Sequence, residues 1–187
     1  MSNTKLIFVG PVGAGKSTAI QTMARGRQLS TDEQASDMTR QRKETTTVAM
    51  DYCVLNGRSR RLHLYGTPGQ ERFSFMWDII TQGGHGLILL LDNSRHNPFQ
   101  DMRFFLNQYK EFALSGKIVL GLTKMDLAER GPSVADYQGE LGSMGLNLCV
   151  AGADVRNQAD VSRLVDMLLP YVDGSTEGES ESQCLVG

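Results

Sequence analysis

The chain has 187 residues, of which 40% are apolar, and a formal net charge of −2. This length and apolar content suit one domain with a single buried core. Outside residues 173–187, 19 basic residues face 17 acidic ones, and neither this balance nor the overall charge suggests nucleic-acid binding. The three cysteines form no CxxC pair and no zinc-ligand spacing, so we expect a reduced, cytoplasmic protein. No run approaches 18 uncharged apolar residues, and we expect no transmembrane segment.

The first predicted elements are a strand at residues 6–9 (LIFV) and a helix over residues 17–26 (STAIQTMARG), separated by a glycine-rich loop. The helix has apolar residues at helical spacing and is predicted to stop at Gly26. Residues 28–46 are polar and show no apolar periodicity, so they predict a mobile loop.

A hairpin is predicted next. The segments VAMDYCVL (residues 48–55) and SRRLHLY (59–65) flank Asn56-Gly57, the dipeptide that most readily forms a tight type I′ turn. The two strands are therefore predicted to be antiparallel.

The remaining strands follow at intervals. GLILLL (86–91) and KIVLGL (117–122) are nearly continuous apolar runs, typical of central strands in a parallel sheet covered on both faces. A helix is predicted to begin near Pro98 between them. LNLCVA (146–151) predicts a last strand, and the amphipathic segment after it predicts a closing helix that ends near Pro170.

The glycine-rich loop carries the strongest motif. GPVGAGKS, residues 10–17, matches GxxxxGK[ST] and lies between a predicted strand and a predicted helix. Its backbone N–H groups are expected to surround phosphates, Lys16 to reach the outer phosphates, and Ser17 to offer its hydroxyl to Mg²⁺. The motif predicts a nucleotide site and leaves ATP and GTP open. Its predicted nucleotide-binding residues are Gly10, Gly13, Ala14, Gly15, Lys16, Ser17 and Thr18.

A second motif suits guanine. Thr123-Lys124-Met125-Asp126 follows an apolar strand, at the edge where open α/β sheets bind ligands. Asp126 can accept two hydrogen bonds from the guanine N1–H and exocyclic amine, and the stem of Lys124 can cover the ring. We add Ala151, on the last predicted strand, to the predicted nucleotide-binding residues.

Taken in order over residues 5–171, these motifs resemble the Ras superfamily. TPGQERF (67–73) contains the GQERF run of Rab proteins, and TKMD is similar to the TKxD of Rho-type members. More narrowly, TTTVAMDY and LYGTPGQERFSFMWD resemble the bacterial MglA-like and conservon-type G proteins. The resemblance implies an α/β P-loop NTPase with a Ras-like G domain: a six-stranded, mostly parallel sheet with one antiparallel hairpin and helices on both faces.

The resemblance also implies a GTP/GDP switch that uses Mg²⁺ and hydrolyses GTP slowly. Gly69 is expected to donate its N–H to the γ-phosphate and Gln70 to orient the attacking water. Thr47, with Thr46 as the alternative, is expected to bind Mg²⁺ together with Ser17.

The source of a catalytic arginine and the partners are less defined. Arg42 is the nearest candidate, followed by Arg40, and Val12 occupies a position where a side chain obstructs an arginine inserted by a partner. We therefore expect slow hydrolysis by the protein alone and acceleration by a partner that reshapes the switch loops, and the resemblance implies a regulator of the roadblock/LC7 type. A downstream effector is expected at the switch loops, residues 28–50 and 66–82. A peripheral position at the membrane, through a partner, is compatible with this reading.

One position departs from the Ras pattern. Gly66 stands where the family carries an aspartate that holds Mg²⁺ through water, and Asp51 or Asp92 is a candidate replacement. Asp92 also ends an apolar strand, as the magnesium acid of many P-loop ATPases does, so an ATPase or kinase is the alternative function. A nucleotide-binding scaffold without hydrolysis is a third reading, favoured by Gly66 and Val12.

The C-terminal stretch is read as a tail. Residues 173–187 are rich in Ser, Gly and Glu, and they predict a disordered acidic segment after a domain at residues 1–172. The last four residues, from Cys184, have the outline of a prenylation box, although the acidic flanks and final glycine disfavour prenylation.

Overall fold

The computed structural model describes residues 2–28, 51–57, 59–70, 74–127 and 131–174. The strands are β1 (Ser2–Val9), β2 (Tyr52–Asn56), β3 (Arg60–Gly66), β4 (Gly86–Asp92), β5 (Ile118–Thr123) and β6 (Cys149–Gly152). The helices are α1 (Lys16–Gln28), α2 (Ser74–Thr81), α3 (Pro98–Gln108), α4 (Lys110–Leu114), α5 (Val134–Ser143) and α6 (Gln158–Val172), with a 3₁₀ turn at Met125–Leu127. In this part of the chain the six strands form one sheet in the order β2-β3-β1-β4-β5-β6.

The sheet is mostly parallel, as the sequence predicted. Only β2 and β3 are antiparallel among the described neighbouring pairs, and both faces of the central strands are buried. Side chains alternate between the two faces because successive residues of a strand point in opposite directions. One face packs Ile7, Leu87, Leu89 and Leu120 against α2, α3 and α5, while the other packs Leu6, Phe8, Ile88 and Leu90 against α1 and α6.

The hairpin is antiparallel, but its turn differs from the prediction. Asn56 still pairs with Arg61 in the ladder, and the Gly57 N–H donates to the carbonyl of Arg60 at 2.8 Å. Neither Asn56 nor Gly57 has the positive φ that a type I′ turn needs. The predicted Asn-Gly turn is therefore wrong, because strand pairing extends through these residues. The start of the predicted strand at residue 48 lies outside the described residues, and Asp51 precedes β2.

One helix end differs from the prediction, whereas the end of α6 near Pro170 agrees with it. α1 continues through Gly26 to Gln28, so the predicted stop is wrong. A glycine inside a helix costs only about 1 kcal/mol, which neighbouring packing can offset. α6 ends at Val172 with Pro170 inside its last turn. α5 was not predicted, although Ser133 and Asp136 form a capping box that marks its start.

Two predicted segments fall largely outside the description. Of the polar loop 28–46, only Gln28 is described, and the tail is described only at Asp173 and Gly174. Asp173 accepts two hydrogen bonds from the guanidinium of Arg60, at 2.9 and 2.6 Å. Among the helices of the described ranges, none has the length and apolar character needed to span a bilayer.

Candidate nucleotide-binding site

The loop between β1 and α1, residues 10–15, turns at three glycines. Gly10, Gly13 and Gly15 have φ angles of 135°, 82° and 96°, a region that L side chains rarely adopt. A Cβ at Gly10 would lie 2.1 Å from the carbonyl oxygen of Leu90, so only glycine lets the loop pass this close to β4. A Cβ at Gly13 would meet nothing within 4 Å, which leaves that side of the loop open.

Lys16, the first residue of α1, is buried beside this loop. Its ammonium donates to the carbonyl oxygens of Gly10 and Pro11, at 2.7 Å each. Burial lowers the pKa of Lys16 to about 8, against the opposing effect of the Asp51 carboxylate. A buried ammonium at the positive end of a helix is a strong attractor for phosphate oxygens.

An open cleft of about 430 Å³ borders the loop. The loop, the start of α1, Asp51 and the segment after β3 form its walls. The lining residues are Val12, Gly13, Gly15, Lys16, Ser17, Thr18, Asp51, Thr67, Pro68, Gly69 and Gln70. The cleft thus brings together the predicted phosphate-loop residues and the predicted catalytic residues, Lys16 and Gln70.

Asp51 takes the space next to Gly66. The hydroxyl of Ser17 donates to Oδ2 of Asp51 at 2.5 Å, and the Gly66 N–H donates to the backbone carbonyl of Asp51 at 2.9 Å. A Cβ on Gly66 would lie 2.9 Å from Cδ1 of Ile20 and 3.3 Å from Cβ of Asp51. A larger residue at position 66 would therefore need Ile20 to move and would crowd the aspartate that contacts Ser17.

The segment after β3 is held against the phosphate loop. The Thr67 N–H donates to the carbonyl of Phe8 at 3.0 Å, and the indole N–H of Trp77 donates to the carbonyl of Pro68 at 2.7 Å. A Cβ on Gly69 would lie 2.7 Å from Nζ of Lys16 and 2.8 Å from the backbone nitrogen of Val12, and the fixed backbone contact requires glycine here. Trp77 thus anchors this segment through a contact that no local sequence motif indicates.

Thr123 connects the base motif to the phosphate loop. Its hydroxyl lies 3.1 Å from the carbonyl oxygens of both Ala14 and Leu91, and its side chain is almost fully buried. The hydroxyl therefore ties the end of β5 to the phosphate loop and to β4. This tertiary link gives a physical reason for a threonine at this position.

Lys124 and Asp92 form an ion pair beside the base motif. Nζ of Lys124 lies 2.5 Å from Oδ2 of Asp92, and Oδ1 of Asp92 accepts from the N–H and hydroxyl of Ser94 at 3.0 and 2.6 Å. Burial raises the pKa of Asp92, but the hydrogen bonds from Lys124 and Ser94 outweigh it and hold the pKa below its ordinary value. Both carboxylate oxygens are thus engaged away from the cleft, which argues against Asp92 as a magnesium acid. An aspartate at a strand end followed two residues later by serine is a turn signal, and this pattern in the sequence identifies Ser94 as the partner of Asp92.

Other predicted site residues lie as follows. Thr18 and Gln70 are exposed at the cleft, and Asp126 is exposed on the 3₁₀ turn after β5. Ala151 lies within β6, and the first residue beyond that strand is Ala153, whose N–H donates to the carbonyl of Leu122 at 2.8 Å. The predicted Thr47 and Arg42, with their alternatives Thr46 and Arg40, lie outside the described residues.

The sheet order, the phosphate loop and the buried lysine define a P-loop nucleotide-binding protein. The model of the Ras family matches residues 5–169. The chain therefore belongs to the Ras family.

Similar proteins are small Ras-related and GTP-binding proteins by name. The chain is 28% identical over 139 residues to the Ras-related protein Rab-1A of Dictyostelium discoideum, covering 71% of this chain and 61% of that protein. It is 30% identical over 129 residues to Rab-1C of the same organism, covering 66% and 58%. It is 26% identical over 132 residues to the GTP-binding protein YPT1 of Saccharomyces cerevisiae, covering 67% and 58%. In each case the match covers less than two thirds of the relative's own length.

Proposed function

We propose that the protein binds GDP and GTP with Mg²⁺ and acts as a molecular switch that hydrolyses GTP slowly. The proposal rests on one observation. The phosphate loop and the TKMD motif lie at the same edge of the sheet, where the hydroxyl of Thr123 contacts the carbonyl of Ala14. Membership of the Ras family supports guanine rather than adenine. The engagement of Asp92 with Lys124 and Ser94 removes the main support for an ATPase or kinase.

One group of residues is proposed to bind the phosphates, and another the base. The phosphate loop and Lys16 hold the phosphates, and Thr123, Lys124 and Asp126 form the base site, in which Asp126 accepts the two guanine donors. Gly69 lies against Lys16, and we propose that its N–H donates to a terminal phosphate. Gln70, exposed at the cleft, orients the attacking water, and Thr47 and Arg42 are proposed to join the site from residues outside the description.

The oxygen atoms of Ser17 and Asp51 at the cleft fit Mg²⁺. This ion prefers octahedral oxygen coordination and keeps several of its waters, so it needs few protein ligands besides phosphate. Ser17 would bind it directly, and we propose that Asp51 replaces the carboxylate missing at Gly66 by accepting hydrogen bonds from the magnesium-bound waters. When bound, the ion supplies positive charge that stabilises the phosphate oxygens during transfer.

Regulation and location follow from the narrower resemblance to MglA-like and conservon-type proteins. The proposed regulator is a roadblock/LC7-type protein or another partner that reshapes the switch loops, and the proposed location is the cytoplasm, with membrane contact through a partner. Phe75 and Ile79 support a partner surface, since both are about two thirds exposed on α2 next to the cleft segment. Val12, 57% exposed at the cleft, would obstruct an arginine inserted by a partner, so we propose that the partner acts by reshaping the switch loops.

The first experiment titrates labelled GDP and ADP into nucleotide-free protein, with and without Mg²⁺. We expect a strong preference for GDP that Asp126→Asn abolishes, because the asparagine amide cannot accept both guanine donors. Asp166→Asn, an exposed acid on α6, is the matched control and should behave as wild type. A preference for ADP would refute the proposed function.

A single-turnover GTP hydrolysis assay separates the switch from a non-hydrolysing scaffold. Wild type is expected to hydrolyse bound GTP slowly, on the order of 10⁻³ per second or less, and Gln70→Leu to reduce this rate further. If neither protein hydrolysed GTP, even with its partner present, the scaffold reading would be correct.

A further inference from the structure

We propose that Asp92 is a positioning residue of the base site: it holds the ammonium of Lys124, so that the lysine stem is fixed across the base-binding edge before nucleotide arrives. The inference rests on the proposed function. It assigns a role to an acid that the magnesium chemistry does not use.

The sheet register places the two residues together. Asp92, the last residue of β4, pairs with Thr123, the last residue of β5, so the next residue, Lys124, emerges beside the Asp92 carboxylate. The bond from Nζ of Lys124 to Oδ2 of Asp92 is 2.5 Å long. It is a charge-assisted bond, which is shorter and stronger than one between neutral groups.

The carboxylate is itself held in place. Ser94 donates both its N–H and its hydroxyl to the second oxygen of Asp92, which is 6% exposed. The ammonium therefore binds a fixed acceptor, whereas in most exposed ion pairs both side chains are mobile and the pair contributes little.

The backbone of Lys124 shows why such a restraint is needed. Its φ is +57°, and among the described residues it is the only one other than glycine with a positive φ. A left-handed lysine is strained, and its long side chain has many rotamers in the free protein. The bond to Asp92 offsets both costs, so that less order has to be gained on binding.

The ammonium is thus committed to the protein, and its contribution to the ligand comes from the apolar stem. Removing Asp92 should therefore weaken binding of the base but leave binding of the phosphates unchanged. It should also make the lysine ammonium dispensable.

A double-mutant cycle tests this. The variants are Asp92→Asn, Lys124→Met, which keeps a stem of similar length, and the two combined. The probes are GDP and tripolyphosphate, which has no base. Asp92→Asn is expected to weaken GDP binding about tenfold, with faster dissociation, and to leave tripolyphosphate binding unchanged. The combined variant should lose no more than Asp92→Asn alone, because both changes break one contact.

Two further variants control for misfolding as a cause of weaker binding. Ser94→Ala keeps the ion pair and loosens only the carboxylate, so it should weaken GDP binding by about two- to threefold. Asp101→Asn, in the first turn of α3, breaks a surface pair with Arg95 and should change binding of neither probe.

Three results would overturn the inference: unchanged GDP binding in Asp92→Asn, equal loss for both probes, or additive effects of the two single changes. If wild type instead preferred ADP, the proposed function would fail, but the same cycle measured with ADP would still decide whether Asp92 acts through Lys124.

Discussion

Gly66 and Asp51 are best understood as one arrangement. A Cβ at position 66 would lie 3.3 Å from Cβ of Asp51, whose carboxylate accepts from Ser17 near the start of α1. We propose that Asp51, the residue before β2, takes the place of the carboxylate missing from the end of β3. Acids at both positions would crowd each other.

Exchanging these two residues is a test of the proposed magnesium site. Asp51→Asn should weaken the affinity of the GDP complex for Mg²⁺ about 10- to 100-fold, the usual effect of losing a group that orients a metal's ligands. The combined change Asp51→Gly with Gly66→Asp should restore much of this affinity, since only the flexible end of Ile20 then stands close to the new side chain. The measurement is a Mg²⁺ titration of the complex with fluorescently labelled GDP.

Gly66→Asp alone is the informative control, because it adds a second carboxylate beside the first and should lower stability. If Asp51→Asn bound Mg²⁺ as tightly as wild type, Asp51 would have no part in the site.

At the scale of elements, α2 combines an anchor with an exposed surface. Trp77 is 1% exposed and packs on Phe105 of α3, while its indole holds the carbonyl of Pro68. Phe75 and Ile79 face away from this contact and are exposed. The aromatic run FSFMW therefore has two roles: Trp77 packs in the core, and Phe75 remains available to a partner.

The position of Trp77 predicts an optical signal of the switch. It is the single tryptophan of the chain, so its fluorescence should change when GDP is exchanged for a non-hydrolysable GTP analogue, because the segment that it anchors borders the phosphates. Trp77→Phe should abolish the signal and lower the free energy of unfolding by about 1–2 kcal/mol, since the Pro68 carbonyl loses its donor. Identical emission in the two nucleotide states would show that residues 67–70 do not reorder.

For the whole molecule, the order of the strands decides what the site can do. β1, β3 and β5 deliver the phosphate loop, the segment 67–70 and the TKMD motif to the same edge of one sheet. A nucleotide bound there contacts segments that are far apart in the chain. Its binding is therefore linked to the stability of the entire domain.

The linkage predicts stabilisation that depends on the nucleotide. GDP with Mg²⁺, at about 100 times its dissociation constant, should raise the free energy of unfolding by about 2.7 kcal/mol. ADP at the same concentration should have a much smaller effect, and chelation of Mg²⁺ should reduce the effect of GDP. Denaturant unfolding measures all three conditions, and equal stabilisation by the two nucleotides would contradict guanine specificity.

The sequence alone determined the features that depend on neighbouring residues. Apolar runs identified the central strands, and the spacing of Gly10, Gly15 and Lys16 identified the phosphate loop, because backbone conformation and helix position there follow from consecutive residues. The antiparallel hairpin was also predicted, although its turn was not, since that depends on how far the ladder extends. The family followed from motif order.

Tertiary structure decided which of the distant candidates reach each other. Asp51 and Asp92 were equal candidates for the missing carboxylate until the pairing of β2 with β3 put Asp51 beside Ser17, and the register of β4 with β5 put Asp92 beside Lys124. In the same way, only the contacts with α3 and Pro68 show that Trp77 is a core residue while Phe75 is exposed. Hydrogen bonds act over about 3 Å, and sheet register brings residues far apart in the chain within that distance, so no pattern in consecutive residues can reveal the pair.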